Sequence, residues 1–400
     1  MQPPSAQSMP AQLLACARFV AQRVAVRGKR AWLLGGPVRD LALGREPHDL
    51  DMASALTPEQ IEALFDRTSA VGKAFGTVLV HHKGIDVQLT TFRRERGFSD
   101  ARRPDLVEYT EELAEDARRR DFTCNALYLD PLDDELRDPE GGLRDIGERR
   151  LRAVGDPRAR FAEDGLRLVR FARFAAALDF SVETATLVAA TESAQALAGV
   201  SPERRLGELE RIFSAPRSER AIELLAGAQL LDALLPGFRA VCPDERALTR
   251  RLRTLTRLGE GGSRLGAALG FAVLLEPPSL AEEAAARAIL EFLRPSRALR
   301  DAVEALWRLA RAASTLADER AAPDRSSGPG GRAALVRFAR AREAHDALRL
   351  ARAWCAADGK DERGLARLAR ASASLSSGDL FPPPLITSDD LARAGIVRGP

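Results

Sequence analysis

Four hundred residues, 45% hydrophobic and 29% charged, are too many for one ordinary core and too apolar for a disordered chain. The net charge of +3 is too small to establish a nucleic-acid partner by itself, and four scattered cysteines, none in a CxxC pair, exclude a zinc signature and a disulfide framework. All the basic residues except Lys29, Lys73, Lys83 and Lys360 are arginine. The planar fork of arginine suits phosphates and base edges, although a GC-rich genome produces the same bias. The best apolar run, near Leu265 to Leu275, is about half the ~20 residues a spanning helix needs, so no membrane partner is expected. Residues 1–30 read as a helical lead-in, not an export signal, and a reducing cytoplasmic setting fits.

In chain order, strands are predicted at Ala31–Leu34, Leu50–Ala53, Gly76–His82, Ile85–Thr91 and Cys124–Leu129. Thr57-Pro58-Glu59 starts a helix, with Thr57 as N-cap and Pro58 at its first position. After Ala159 the pattern is almost wholly helical, punctuated at Pro202, Pro216, Pro236 and Pro295. The predicted class is therefore α+β, a mixed-sheet head followed by a long all-α remainder. Residues 321–332 read as a flexible loop, and Asp379–Pro384 as an extended connector.

The stretch LLGGPVRDLALGREPHDLD, residues 33–51, is the most informative. On a strand, residues two apart share a face, so Asp49 and Asp51 point the same way and form a pair of hard oxygen ligands suited to Mg²⁺. Gly35 and Gly36 permit close backbone approach, and Pro37 suits the first turn of a helix whose N-terminus attracts phosphate. Each half alone is usually a loop; together they argue for metal-assisted chemistry on a nucleotide. Asp86 and Gln88 share a face of the Ile85–Thr91 strand, where Asp86 is either a third acidic ligand or part of a solvated edge. Arg93–Tyr109 is a long charged loop.

RRDFTCNAL, residues 119–127, sets Arg120, Asp121 and Asn125 ahead of a strand, for a ribose or phosphate or as a salt-bridge cluster. DPEGGLRDIG, residues 138–147, reads as two turns forming a hinge. In FAEDGLRLVRFARF, residues 161–174, Asp164 and Arg167 are neighbours on one helical face, and Glu163, Arg167 and Arg170 form a stripe. One account is a Glu163–Arg167 ion pair on a solvated surface. The other follows from base edges. Cytosine and adenine each present an amino donor beside a ring-nitrogen acceptor, which a carboxylate and a guanidinium complement. Uracil and guanine present the opposite polarity and are rejected. Arginines at 204, 205 and 211, and a stripe at 246, 250, 253 and 257, are either solvated faces or tracks for an RNA backbone.

Taken in order, LLGGPVRDLALG, HDLDMA, GTVLV, DVQLTTFR, RRDFTCNAL, DPEGGLRDIG, AVGDPRARFAEDGLRLVRFARFAA, SPERRLGELERIF and AIELLAGAQLLDALLPGF resemble the class II tRNA nucleotidyltransferases, the bacterial CCA-adding and poly(A) polymerase family. The resemblance runs from residue 31 to 238. It implies a nucleotidyltransferase head, then a neck, body and tail, set here at 1–30 (lead-in), 31–150 (head), 151–215 (neck), 216–320 (body), 321–332 (loop) and 333–400 (tail). It implies that Gly35, Gly36 and Arg39 hold the triphosphate, that Asp49 and Asp51 bind Mg²⁺, and that Arg120, Asp121 and Asn125 handle the ribose. Asp164 and Arg167 would read the base, with Arg170 nearby. Partners would be CTP, ATP and the tRNA 3′ end. Similar proteins usually carry glutamate at the place of Gln88, so a third carboxylate is lost or shifted to Asp86. The final PLITSDDLARAGIVRGP resembles a tail motif that continues further in relatives.

The loop GFSDARRPDLVEY is similar to the compact loop of CCA-adding relatives, and favours CCA addition over poly(A) synthesis or CC-only addition. A-only addition stays open, as does an inactive RNA-binding relative, and these motifs do not specify an oligomeric state.

Overall fold

The computed structural model describes residues 3–69, 76–96, 106–277, 279, 281–319 and 329–380. The chain divides into two compact units, Met1–Ile212 with Arg220–Pro236, and Phe213–Glu219 with Gly237–Pro400. The first holds the sheet and the second is helical, so the α+β class is observed.

Unit one opens with helix α1 (Ala11–Ala25), strand β1 (Ala31–Leu34), α2 (Gly36–Ala42), β2 (Leu50–Ser54) and α3 (Pro58–Glu62). Then come β3 (Thr68–Ser69), β4 (Thr77–His82), β5 (Ile85–Thr91), β6 (Arg93–Arg96), β7 (Leu106–Tyr109) and α4 (Leu113–Arg118). The head closes with β8 (Tyr128–Leu129), β9 (Leu136–Arg137), α5 (Gly142–Gly147) and β10 (Arg150–Leu151). Seven strands form one sheet in the order β3-β4-β5-β2-β1-β8-β9; β2 and β5 run parallel and the other neighbours antiparallel. Alternation fixes its two faces. Val78, Val80, Val87, Leu89 and Thr91 are buried, whereas Asp86 and Gln88 between them are exposed. Helix α1 covers β1, β2 and β5. It buries Cys16, Ala17, Val20, Ala21 and Val24, one stripe at helical spacing.

The strands expected at Ala31–Leu34 and Ile85–Thr91 are found as read, and Thr57 caps α3 in a reciprocal box with Gln60. Three expectations need correction. Of Cys124–Leu129 only Tyr128–Leu129 is strand; Thr123–Asn125 is a 3-10 turn, because the Thr123 hydroxyl donates to the buried Asp145 carboxylate at 2.6 Å. The supposed two turns at 138–147 include helix α5, whose first amides, Gly142 and Leu143, donate to Asp138 at 2.7 and 3.0 Å. The supposed loop at 93–109 has paired ends, with β6 antiparallel to β7; residues 97–105 lie outside the described ones.

Helices α6 (Pro157–Glu163) and α7 (Arg167–Leu178) follow, then β11 (Ser181–Val182), parallel to β10. Next are α8 (Thr184–Glu192), α9 (Pro202–Phe213), α10 (Ser218–Gly227) and α11 (Leu231–Leu234). The expected continuous helix through 161–174 is instead broken. Asp164 is extended at φ −150°, and its carboxylate accepts from the Leu166 amide at 3.0 Å. Gly165 explains the break: a Cβ there would sit 2.1 Å from the Ala196 carbonyl oxygen, so only glycine allows the approach. Arg205 is not on a solvated face. It is buried, donating to the Val200, Ala233 and Leu234 carbonyls at 2.9, 2.8 and 2.9 Å.

Unit two continues through α12 (Glu245–Gly259), α13 (Ala267–Leu274), α14 (Glu283–Phe292) and α15 (Arg297–Glu319). It ends in α16 (Pro329–Ala339), α17 (Ala344–Ala357), α18 (Arg363–Ala373) and α19 (Ser377–Leu380). The 23-residue α15 packs against α13, α17 and α18. The indole of its fully buried Trp307 donates to the Ala272 carbonyl at 2.9 Å. Part of the expected loop at 321–332, from Pro329 on, is helical; 321–328 and most of the connector at 379–384 lie outside the described residues. On α12, Arg250 pairs with Glu276 and Asp358, and Arg257 with Glu260 and Glu362. Arg246 and Arg253 of the same stripe are exposed. Among the described residues no helix is long and apolar enough to cross a membrane.

Candidate active site

The acidic pair sits where β2 begins. Asp51 is the second residue of the strand, whereas Asp49 lies in the bend just before it, so the strand expected to carry both carries one. They remain within electrostatic reach. Burial and the neighbouring Asp49 push the Asp51 carboxyl up to about 6, against the pull of Arg120. Neither acid has a hydrogen bond or ion pair to a described residue, and Arg120 acts on Asp51 only through its field. In the parallel β2/β5 register Gln88 is the Cα partner of Asp51, which sets its amide on the same face. Asp86, the acid on that face of β5, already has a partner. Its carboxylate accepts from His81 Nδ1 at 2.7 Å, while His81 Nε2 meets the Ser69 hydroxyl at 2.7 Å. No group of three or more acidic, His or Cys ligands occurs among the described residues.

Beside the start of β2, across the antiparallel pairing in which Leu33 partners Met52, lies the β1–α2 turn. Gly35 caps α2 at φ +64°, which favours glycine, and its amide donates to the Leu127 carbonyl at 3.2 Å. Gly36 opens a helix of only seven residues, so the full cation of Arg39 outweighs the helix dipole at this end. Arg39 donates to Asn125 Oδ1 at 2.7 Å and to Asp40 at 2.9 Å, and lies 5.4 Å from the Phe174 ring centre. Asn125 in turn donates to Asp121 at 3.1 Å, and Arg170 donates to the other Asp121 oxygen at 2.7 Å. Burial raises the Asp121 carboxyl, but Arg170 and the Asn125 bond outweigh it and hold the group well below the usual range. Thus Arg39, Asn125, Asp121 and Arg170 form one bonded chain.

Sequence spacing did not reveal the support beneath Arg120. Asp116, fully buried, accepts from the Tyr128 hydroxyl and Arg120 at 2.7 Å each and from Arg119 Nε at 2.8 Å. Burial raises its carboxyl, but Arg120 and Arg119 hold it well below the usual range. The Asp116–Arg120 spacing of four, with Arg120 just past the end of α4, was the available signal. Asp116→Asn is expected to destabilise the protein by about 3–5 kcal/mol, because two guanidinium groups lose a buried counter-charge. A depressed carboxyl stabilises the fold above its unfolded pKa, and that contribution fades as pH falls toward the folded value. Melting curves from pH 7 down to pH 3 should therefore show a steeper loss for the parent protein than for the variant.

Asp164 and Arg167 do not pair with each other. Asp164 accepts from Arg204 at 2.6 Å, a partner 40 residues away that no local pattern reveals. Arg167 is buried, pairs with Glu163 as one sequence account held, and donates to the Arg160 and Arg119 carbonyls at 2.8 and 2.9 Å. These bonds leave its Nε–H and one Nη2–H without a protein acceptor among the described residues. Asp164 likewise retains lone pairs beyond its two bonds. The two side chains thus retain an acceptor and donors.

Comparison with known proteins bears on the family of the head and of the segment that follows it. Residues 31–152 match the poly A polymerase head domain, and residues 179–242 match the probable RNA and SrmB-binding site of polymerase A. CCA-adding enzymes of Bacillus pumilus (strain SAFR-032) and Geobacillus sp. (strain WCH70) are 42% and 43% identical over 211 and 206 residues, which are 53% and 52% of this chain. The chain spans about half the length of these curated relatives, 52% and 51%. The crystal structure of the Bacillus stearothermophilus CCA-adding enzyme in complex with CTP matches at a TM-score of 0.68 and 29% identity, over 96% of this chain and 88% of that one. Residues 31–152 are accordingly a poly A polymerase head domain, followed at 179–242 by the RNA-binding segment of that polymerase, in a chain whose matched half is similar to CCA-adding enzymes.

Proposed function

We propose that this protein is a CCA-adding tRNA nucleotidyltransferase, working in the cytoplasm, that joins C, C and A to the tRNA 3′ end from CTP and ATP. What supports this reading is the unpartnered pair Asp49 and Asp51 at the start of β2, beside the glycine turn that follows β1, in a chain similar to proteins called CCA-adding enzymes. In the reaction the 3′-hydroxyl oxygen bonds to the α-phosphorus while the α–β anhydride bond breaks and pyrophosphate leaves.

Nucleotidyltransferases of this family generally use divalent metals, and the hard, uncompensated oxygens of Asp49 and Asp51 fit Mg²⁺. When bound, that ion supplies charge to the attacking and leaving oxygens. The protein's own groups do the rest. Gly35, Gly36 and Arg39 hold the triphosphate, while Asp121 and Asn125, with Arg120, orient the ribose. Asp164 accepts the amino hydrogen of C or A and Arg167 donates to the ring nitrogen, with Arg170 bracing Asp121 between base and ribose. Positioning and fixed charge supply most of the rate enhancement.

Transcripts ending before C, CC and CCA, offered CTP and ATP separately and together, test the reading. Ordered addition of C, C and A, then arrest, is the expected result. Addition of A alone, of CC alone or of a long A tract replaces it with the corresponding narrower enzyme, and no incorporation at all replaces it with an RNA-binding protein. Gln88→Glu should tighten Mn²⁺ binding roughly tenfold, because it adds a carboxylate beside Asp51. Paramagnetic resonance titration of free Mn²⁺ reads this without turnover.

A further inference from the structure

Phe174 is a buried phenylalanine with three guanidinium groups around its ring: Arg173 at 4.1 Å, Arg170 at 5.2 Å and Arg39 at 5.4 Å from the centre. Phe122, fully buried, meets it edge-on at 5.9 Å and 73°, which fixes the ring plane. Three cations so close repel one another. Asp40 lies against Arg39 at 2.9 Å, Asp121 against Arg170, and Glu208 against Arg173 at 2.7 Å, Arg211 at 2.6 Å and Arg170 at 3.8 Å, so this cluster of four arginines and three acids keeps one excess positive charge. A further carboxylate would hold the arginines as well but would cancel the charge that attracts a polyphosphate. An aromatic face attracts cations through its quadrupole and adds no net charge.

From this arrangement we infer that Phe174 is a positioning residue, which holds Arg39 and Arg170 at one fixed spacing so that a nucleoside triphosphate is gripped at its phosphate and base ends together. The inference rests on the roles proposed above for Arg39 and Arg170. The ring itself touches no substrate. Its effect passes through the guanidinium planes, which lose rotational freedom when they stack and so lose less on binding.

The test is calorimetric binding of CTP and ATP to the full chain, without tRNA, for Phe174→Leu, Phe174→Met and Phe174→Tyr, with melting temperature measured alongside. Leucine and methionine keep an apolar side chain and remove the π face; tyrosine keeps it. Phe174→Leu and Phe174→Met should weaken both nucleotides about tenfold, and Phe174→Tyr should restore most of the affinity. Affinity following melting temperature alone, or unchanged binding in the leucine or methionine variant, overturns the inference while leaving the proposed function intact. Failure of the parent protein to bind either nucleotide overturns both.

Discussion

Asp49→Ala should abolish nucleotide incorporation and leave tRNA binding nearly unchanged. The physical basis is the charge imbalance at the start of β2. Two carboxylates share a small volume, burial and mutual repulsion push one of them up to about 6, and no described cation pairs with either. Such an arrangement costs folding energy and is sustained only if something compensates it in the working state. Removing one acid relieves the repulsion, so Asp49→Ala should fold at least as well as the parent. It also removes half of the oxygen ligands for the divalent ion, with an expected loss in kcat on the order of 10³-fold or more. Single-nucleotide gels under single-turnover conditions measure the loss, and a filter-binding titration with tRNA serves as the control. Retained turnover in Asp49→Ala would reject the metal assignment.

The second large effect concerns which nucleotide is chosen. Asp164→Ala should accept UTP and GTP alongside CTP and ATP, eroding discrimination by roughly 10²-fold or more. A half-buried carboxylate that must receive an amino hydrogen penalises a base that presents a carbonyl instead, because two acceptors then face each other without a donor. Alanine removes that penalty. The structure adds a second consequence: Arg204 donates to Asp164 at 2.6 Å and loses this partner in the variant. Some loss of stability should accompany the loss of selectivity. Competition assays with all four nucleotides, run at a temperature where the variant is folded, separate the two. An unaltered order of preference would eliminate Asp164 as a reader of the base.

What could be read along the chain were features whose cause is local. The alternation of Val78, Val80, Val87 and Leu89 with polar residues identified β4 and β5, and the capping chemistry of Thr57 and Pro58 identified the start of α3. The glycine turn and the Asp49–Asp51 spacing were also visible because each depends on neighbours a few residues away. Errors arose where a distant contact overrode the local pattern. The helix drawn through Asp164 ignored the Ala196 carbonyl that crowds Gly165. The strand drawn through Cys124 ignored Asp145, 22 residues beyond Thr123. Arg205 was read as part of a basic face because nothing nearby in sequence reveals the carbonyls that receive it from residues 28 and 29 positions on.

The order of motifs by itself pointed to the family and to a mixed-sheet head ahead of a helical remainder, and it put forward Asp49 and Asp51 as the ligands proposed for a divalent ion. Only the tertiary structure decided which charges are spoken for. Asp86 is held by His81, Arg167 by Glu163 and Asp164 by Arg204, while Asp49 and Asp51 are left to a ligand. The reason is that residue spacing fixes which side chains share a face, whereas an ion pair depends on separation in space, and folding brings together residues 40 or 49 positions apart as readily as four.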